Sequence, residues 1–361
     1  MSEIKVIEPS LFGLKKSNRD FTKQNNWGKN QFNSSFPASL AAYMYHKNLE
    51  PVYIVLNEEL EVEHTKINVK DLFGIVPTDP NLRYAFERDF TPYQKFVEGN
   101  LPRVDLVTMH EKEGTCLRGI EIKLTALPDN STHKFTQDKY GSELVVRPDT
   151  IVYLGISIAK AYEERRKELL KILEPSCSII KDWTSAKEVV PHIQDMVNAL
   201  DEVLKVHSES QSPLVMQPIW KTDGKSPILA ENCLDIFIWS DFAFTRLFVD
   251  ITKKSAKNEN ITRFMRTSVW LVKMLYDFAK DEIIDHKRII DTQSYNTKND
   301  KAFAINGMNT HKYMSSNELI NPRISKSDIK NIILGGGHQL LSPERRFDAV
   351  IVNTPGLFDD I

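Results

Sequence analysis

The sequence predicts an α/β fold, a central mixed β-sheet flanked by helices, and three features carry that prediction. Residues 104 to 127 read as a hairpin: Val104 to Met109 is a strand, Glu111 to Gly114 (EKEG) a polar turn, and Arg118 to Leu127 a second strand with period-two alternation. A long helix follows from Pro148 to Leu173, with Ile151, Leu154, Ile158 and Tyr162 at helical spacing and Glu163 to Lys171 as a charged outer face. Two further strand candidates, Leu214 to Trp220 and Leu234 to Trp239, return the chain to a sheet after that helix.

Taken in order, the chain opens on a polar, Asn-rich and basic stretch with Trp27, Phe32 and Phe36 interleaved, too aromatic for a disordered tail. It leads into a helix near Pro37 to Tyr45. Pro51 to Leu56 (PVYIVL) reads as a short buried strand. Asn81 to Glu98 is expected to be mostly helical, interrupted near Pro92. A second helix is expected over Ala186 to His207, and a strongly amphipathic one over Ile261 to Ile284. Asp291 to Ser316 reads as loop, and Phe347 to Val352 as a last short strand.

The length of 361 residues fits two domains or one large domain with insertions, and one large domain is the division expected. Within it the expected parts are a basic, Asn-rich region over 1–50, an α/β core over 81–245, and a helical and C-terminal region over 246–361 for DNA contact or dimerisation. Hydrophobic residues make up 41% and charged residues 27%, the balance of an ordinary globular protein. Cys116, Cys177 and Cys233 lie far apart without CxxC spacing, which speaks against a zinc site and a disulfide framework. MSEIKVIEPS carries no apolar signal core, and no apolar run approaches the roughly 20 residues that span a bilayer, so a cytoplasmic protein without membrane contact is expected. The formal charge of -2 hides local asymmetry: Gly13 to Asn33 holds five basic residues and one acidic, and Ile251 to Lys273 holds six and one. Phosphate binding needs a basic face rather than a basic protein.

The hairpin carries the chemistry. Alternation puts Ile120, Ile122 and Leu124 on one face and Glu121 and Lys123 on the other, while Asp105 lies on the preceding strand. Two carboxylates converging on one cation, with an ammonium beside them, is what metal-assisted phosphodiester hydrolysis requires. Magnesium takes hard oxygen ligands and keeps several waters, so two carboxylates suffice, and the Ile122 carbonyl is a candidate further ligand. The competing reading is a surface hairpin whose Glu–Lys pair is merely solvated. A third acid can join such a centre; Glu87 is preferred over Glu98, which sits beside Gly99.

The residues V-D-(15 residues)-E-I-K resemble the PD-(D/E)xK nuclease motif, with Val104 standing where the motif has proline and Pro102 two residues earlier. That resemblance implies a restriction-endonuclease-like core. It also implies metal binding by Asp105 and Glu121 and assistance to the attacking water by Lys123. Longer strings, LFGLKKSNRDFTKQNNWGKNQFNSSFPASL, EIKLTALPDNSTH, ELVVRPDTIVYL, QPIWKTDGK and CLDIFIWSD, resemble the HindVP group of type II restriction endonucleases over about Leu11 to Val352. The likeness implies a Mg2+-dependent homodimer that cuts double-stranded DNA at a short palindrome and leaves 5'-phosphates, paired in its system with a cognate DNA methyltransferase. The site of the group's namesake has the form GRCGYC. The rival classes are a structure-specific repair or junction-resolving nuclease and a non-catalytic DNA-binding protein on the same fold.

Candidate DNA contacts follow from residue chemistry. Lys15, Lys16, Arg19, Lys23 and Lys29 suit phosphates, and Asn18, Asn30 and Asn33 suit adenine edges. Lys221 and Lys225 lie in a turn between strands, where recognition loops sit, and Arg263 and Arg266 line one face of the Ile261 to Ile284 helix, itself a candidate dimer or DNA-cleft surface. Gly335 to His338 (GGGH) lacks the spacing and Lys-Ser/Thr of a phosphate loop.

Overall fold

The computed structural model describes residues 41, 44–46, 48–123, 144–218, 221–223, 226–228, 232–234, 236–255, 261–295, 303–305 and 324–325. Strands β1 (Val52–Leu56) and β2 (Val62–Lys66) form a hairpin that is followed by a short helix, α1 (Val69–Phe73). Next come β3 (Leu82–Arg88), β4 (Val104–His110), β5 (Thr115–Ile122) and β6 (Leu144–Val146). Helices α2 (Pro148–Ala161), α3 (Arg166–Cys177) and α4 (Ile193–Val203) lead to β7 (Pro213–Pro218), β8 (Lys221–Asp223), β9 (Ser226–Ile228), β10 (Asn232–Leu234) and β11 (Ile236–Ser240). Helices α5 (Asp241–Ser255), α6 (Arg263–Asp281) and α7 (His286–Thr292) follow, then β12 (Phe303–Ile305) and β13 (Ile324–Ser325).

A seven-stranded sheet runs in the order β2-β1-β11-β7-β5-β4-β3. It is mixed: β1 pairs parallel with β11 and β5 parallel with β7, while the other neighbours are antiparallel. Parallel neighbours need a long crossover, and α2, α3 and α4 supply it between β5 and β7. The inner strands β1 (VYIVL) and β11 (IFIWS) are buried along their whole length, as strands covered on both faces must be. At one edge, β2 (VEHTK) alternates half-buried and exposed residues, the pattern of a strand with one face in water. The α/β class expected from the sequence is the one found, and β1 and β2, from before residue 81, belong to the same sheet as the hairpin.

Several local expectations are corrected. Asn81 to Glu98 is not mostly helical: Leu82–Arg88 is edge strand β3, paired with β4 from Leu82 opposite His110 to Arg88 opposite Val104, and a 3-10 helix follows over Thr91–Phe96. Pairing with β4 fills the backbone bonds of LRYAFER, and that tertiary gain outweighs local helix propensity. The helix expected over Pro148 to Leu173 breaks after Ala161, where the hydroxyl of fully buried Tyr162 donates to the Val203 carbonyl at 2.8 Å and one 3-10 turn (Glu163–Arg165) redirects the chain. The helix expected over Ala186 to His207 is divided by a 3-10 turn at Val190–His192, which contains Pro191. Helix α7 covers the start of the stretch expected to be loop, and β12 pairs with β6 further along it. Residues 41 and 44–46 are helical; the rest of the first 40 residues, GGGH and the strand expected at Phe347 to Val352 lie outside the described residues.

Helix α6 begins on Thr262, whose hydroxyl accepts from the Met265 N–H, and packs against α2, α3 and α5. Met265 to Val272 are all buried. The helix expected to offer a dimer or DNA-cleft surface is therefore internal over that length.

Two predictions arise from this packing. A methyl group on Gly119 of β5 would stand 3.0 Å from Phe90 Cγ and 3.2 Å from Phe90 Cβ. Phe90 is itself buried and edge-on to Tyr93, so it has little room to yield. Gly119→Ala is expected to lower stability by about 1–3 kcal/mol, read as a lower urea midpoint at unchanged slope.

The second concerns Asp241, which has no exposed surface. Its carboxylate accepts from Ser157 Oγ at 2.7 Å and from the Phe242 N–H at 2.9 Å, and Tyr93 donates to Ser157 Oγ at 3.3 Å. Burial pushes its pKa up to about 7, against the lowering effect of those two hydrogen bonds. The folded protein thus holds this proton to higher pH than the unfolded chain. The contribution to stability is whole below about pH 4 and declines as pH rises to 7, by about 4 kcal/mol. Asp241→Asn should remove that part of the pH dependence from thermal melts recorded between pH 4 and 7; an unchanged profile would rule it out.

Candidate active site

The antiparallel ladder between β4 and β5 includes Val107 opposite Gly119 and Leu106 opposite Ile120, and no further pair follows toward Asp105. Beyond it, the Ile122 N–H donates to Asp105 Oδ2 at 2.9 Å. A side-chain carboxylate has taken the place of a backbone acceptor, so the two strands part at this point. The N–H and C=O of one strand residue point to the same edge, and the Ile122 carbonyl therefore faces the Asp105 side. On its other edge β5 stays clamped to β7, with Glu121 opposite Val215, Ile122 opposite Met216, and the Lys123 N–H donating to the Met216 carbonyl at 2.9 Å.

The side chains follow from this register. Ile120 and Ile122 are fully buried on one face of β5. Glu121 and Lys123 share the other face, and it is also covered: they are 8% and 3% exposed. Lys123 Nζ donates to Glu121 Oε1. A solvated surface pair is thereby excluded.

Helix α2 brings a further carboxylate that the sequence reading did not single out. Asp149 is the second residue of α2, behind Pro148. Asp149 is exposed at the surface, and its pKa is raised, first by partial desolvation of the carboxyl group and then by the negative charge of Glu121, while Lys123, Arg147 and His286 act in the opposite sense. One turn on, the Tyr153 hydroxyl accepts from the Phe90 N–H at 3.1 Å and donates to the Pro102 carbonyl at 2.6 Å, tying α2 to the segment that enters β4. An acid in the first turn of a helix reads from sequence as a favourable charge on the helix dipole. Nothing in the chain order links it to Glu121.

The other expected residues are placed as follows. Glu87 is exposed on β3, between the pairs Phe86–Leu106 and Arg88–Val104 and so level with Asp105, in a left-handed conformation (φ 49°) that breaks the strand's alternation. Glu98 is exposed, and its N–H donates to the Ile284 carbonyl at 3.0 Å, near the start of α7. Lys15, Lys16, Asn18, Arg19, Lys23, Lys29, Asn30, Asn33 and Lys225 lie outside the described residues. Lys221 begins β8, whose hairpin with β9 pairs Lys221 with Ile228, and Arg263 begins α6. Arg266 is corrected: it has no exposed surface, donates to the Ser294 carbonyl at 3.2 Å and lies 5.1 Å from the Trp270 ring centroid. A phosphate cannot reach a guanidinium enclosed in this way.

The donor set suits a hard divalent cation. Asp105, Glu121 and the Ile122 carbonyl offer only oxygen, the ligand magnesium selects. Among the described residues no group of three His, Cys, Asp or Glu side chains is placed to hold a metal, so the fit rests on two carboxylates and a carbonyl. No described helix is long and apolar enough to cross a membrane.

No solved structure matches the chain. It is 48% identical over 354 residues to "Type II restriction enzyme HgiDI" of Herpetosiphon aurantiacus, covering 98% of each chain. It is 45% identical over 352 residues to "Probable type II restriction enzyme HindVP" of Haemophilus influenzae, covering 98% of this chain and 96% of that one. The HindVP restriction endonuclease family matches residues 27–358. With identity sustained along both relatives and a family match that spans the parted β4–β5 edge, the chain belongs to the HindVP restriction endonuclease family and is a site-specific deoxyribonuclease.

Proposed function

We propose that this enzyme is a Mg2+-dependent type II restriction endonuclease in which Asp105, Glu121 and the Ile122 carbonyl hold the cation and Lys123 serves the attacking water. One observation carries the reading. A buried Glu121–Lys123 pair sits next to a carboxylate that replaces a backbone acceptor at the end of a ladder. A buried ion pair is poor value for stability compared with apolar residues of the same volume, so chemistry is its better explanation.

When bound, the cation polarises the phosphate and lowers the pKa of a coordinated water. The chain's own groups do the rest. Asp105 and Glu121 fix the position of the centre on two strands that the sheet holds rigid. Lys123 orients the nucleophile and offsets charge that develops on the phosphate oxygens. Attack at phosphorus with departure of the 3' oxygen leaves a 5'-phosphate and a 3'-hydroxyl. A palindromic site implies a two-fold homodimer with one centre for each strand. The basic segment over 13–33 and the β8–β9 hairpin with Lys221 are the proposed DNA contacts. A methyltransferase acting on the same palindrome would protect the host's DNA.

Plasmid digestion with and without Mg2+, followed by run-off sequencing of the ends, tests this. Discrete bands with one palindrome at every end are expected, and GRCGYC is the sequence to examine first. A smear, cuts confined to branched DNA, or undiminished cutting in EDTA would sink it.

A further inference from the structure

Asp105 lies where the sheet's ladders run out. The ladder from β4 to β5 ends at Leu106 opposite Ile120, one residue short of it. On the other side β4 is paired with β3, an edge strand whose regular conformation breaks at Glu87, level with Asp105. Continuing the β3–β4 register two residues past Arg88 and Val104 brings Phe90 opposite Pro102. There Pro102 has no N–H to offer, and the Phe90 carbonyl is taken by the Tyr93 N–H at 3.0 Å. The Tyr153 hydroxyl joins the two backbones instead. It accepts from the Phe90 N–H at 3.1 Å and donates to the Pro102 carbonyl at 2.6 Å.

We infer that Tyr153 is a positioning residue for the cation centre: its hydroxyl fixes the start of β4 and thereby the place of Asp105 relative to Glu121. The inference rests on the cation centre proposed above. Glu121 is held from within the sheet, by its register opposite Val215 and by the bond from the Lys123 N–H to the Met216 carbonyl. Asp105 begins three residues after Pro102, so the Tyr153 bond sets where its strand starts. That anchor is firm. Tyr153 is 3% exposed, Thr150 to Ala159 of α2 are buried, and α2 packs against α6. The Tyr153 ring lies 6.1 Å from that of Tyr93, in the 3-10 helix that follows Phe90. The two carboxylates are thus held from different layers, Glu121 by the sheet and Asp105 by the helices through one hydroxyl. A cation needs both at a fixed separation, and a misplacement of about 1 Å can cost on the order of 100-fold in rate.

A tyrosine that only filled the core would change stability and leave metal affinity alone, so the test reads both. Mn2+ binding to the full-length protein without DNA, followed by electron paramagnetic resonance, is independent of cleavage. Tyr153→Phe keeps the ring and removes both bonds. It should weaken Mn2+ binding about tenfold, the effect typical of groups that orient a ligand. It should also lower kcat for plasmid cleavage by about 10–100-fold with KM unchanged. Tyr162→Phe is the matched control, because it removes a buried hydroxyl at the far end of α2, where Tyr162 donates to the Val203 carbonyl at 2.8 Å. It should lower the melting temperature and leave Mn2+ affinity at the wild-type value. Melting curves set a temperature at which both variants are folded, and binding is compared there. Unchanged Mn2+ affinity in Tyr153→Phe overturns the inference, and so does an equal loss in Tyr162→Phe, which would mark a general loosening of the helix layer. If Asp105→Asn binds Mn2+ as well as the wild type, the cation centre itself is wrong and the inference falls with it, a failure recognised by that variant alone.

Discussion

Lys123→Ala is expected to lower the rate of plasmid cleavage by on the order of 10³–10⁴-fold and to destabilise the free protein by about 3–5 kcal/mol. Both effects have one cause. Lys123 and Glu121 are buried together, so removal of the ammonium leaves a carboxylate in a low-dielectric place without its partner. The same ammonium is the group proposed to orient a water at the Asp105 and Glu121 centre. Added Mg2+ should restore much of the lost stability, since a cation on Glu121 replaces the missing positive charge, and should leave cleavage impaired. Initial rates of supercoiled plasmid loss, with melting temperatures taken with and without Mg2+, measure both. A variant that cuts within tenfold of the wild type would remove Lys123 from the mechanism.

Asp105→Ala should lose cleavage on the order of 10³-fold, with specific DNA binding retained in gel-shift assays. Here the structural and chemical contributions can be parted. Alanine deprives the Ile122 N–H of its acceptor, which costs about 1–3 kcal/mol if the donor stays unsatisfied. Asp105→Asn keeps an oxygen for that N–H and removes only the charge. The asparagine variant should therefore melt close to the wild type and cleave as poorly as the alanine variant. Equal melting of the two variants would mean that the Asp105–Ile122 bond does little for the strand edge. Active asparagine enzyme would mean that Asp105 is not a cation ligand.

Much of this was legible in the chain order, and what was legible had a local cause. Alternation in Arg118 to Ile122 was enough to set Glu121 and Lys123 on one face, because the side-chain period of a strand is two whatever surrounds it. The α/β class followed from runs of β-branched and aromatic residues separated by helical periodicity. The long strings pointed to the family. Tertiary pairing decided the rest. LRYAFER is a strand because β4 offers it a ladder, and the helix from Pro148 stops at Tyr162 because that side chain is drawn to Val203. Arg266 looked like a phosphate ligand by charge and is enclosed beside Trp270 and Ser294 by the packing of α6. Sequence left open a solvated Glu–Lys pair as the competing reading, and the fold buries that face. Asp149, an ordinary first-turn acid in sequence, is carried by the crossover from β5 through α2 to where the charge of Glu121 acts on it. Sequence alone determined that Glu121 and Lys123 share a strand and a face, since that periodicity is covalent. Whether that face is covered, and which strand or helix lies against it, is decided by contacts between segments tens of residues apart.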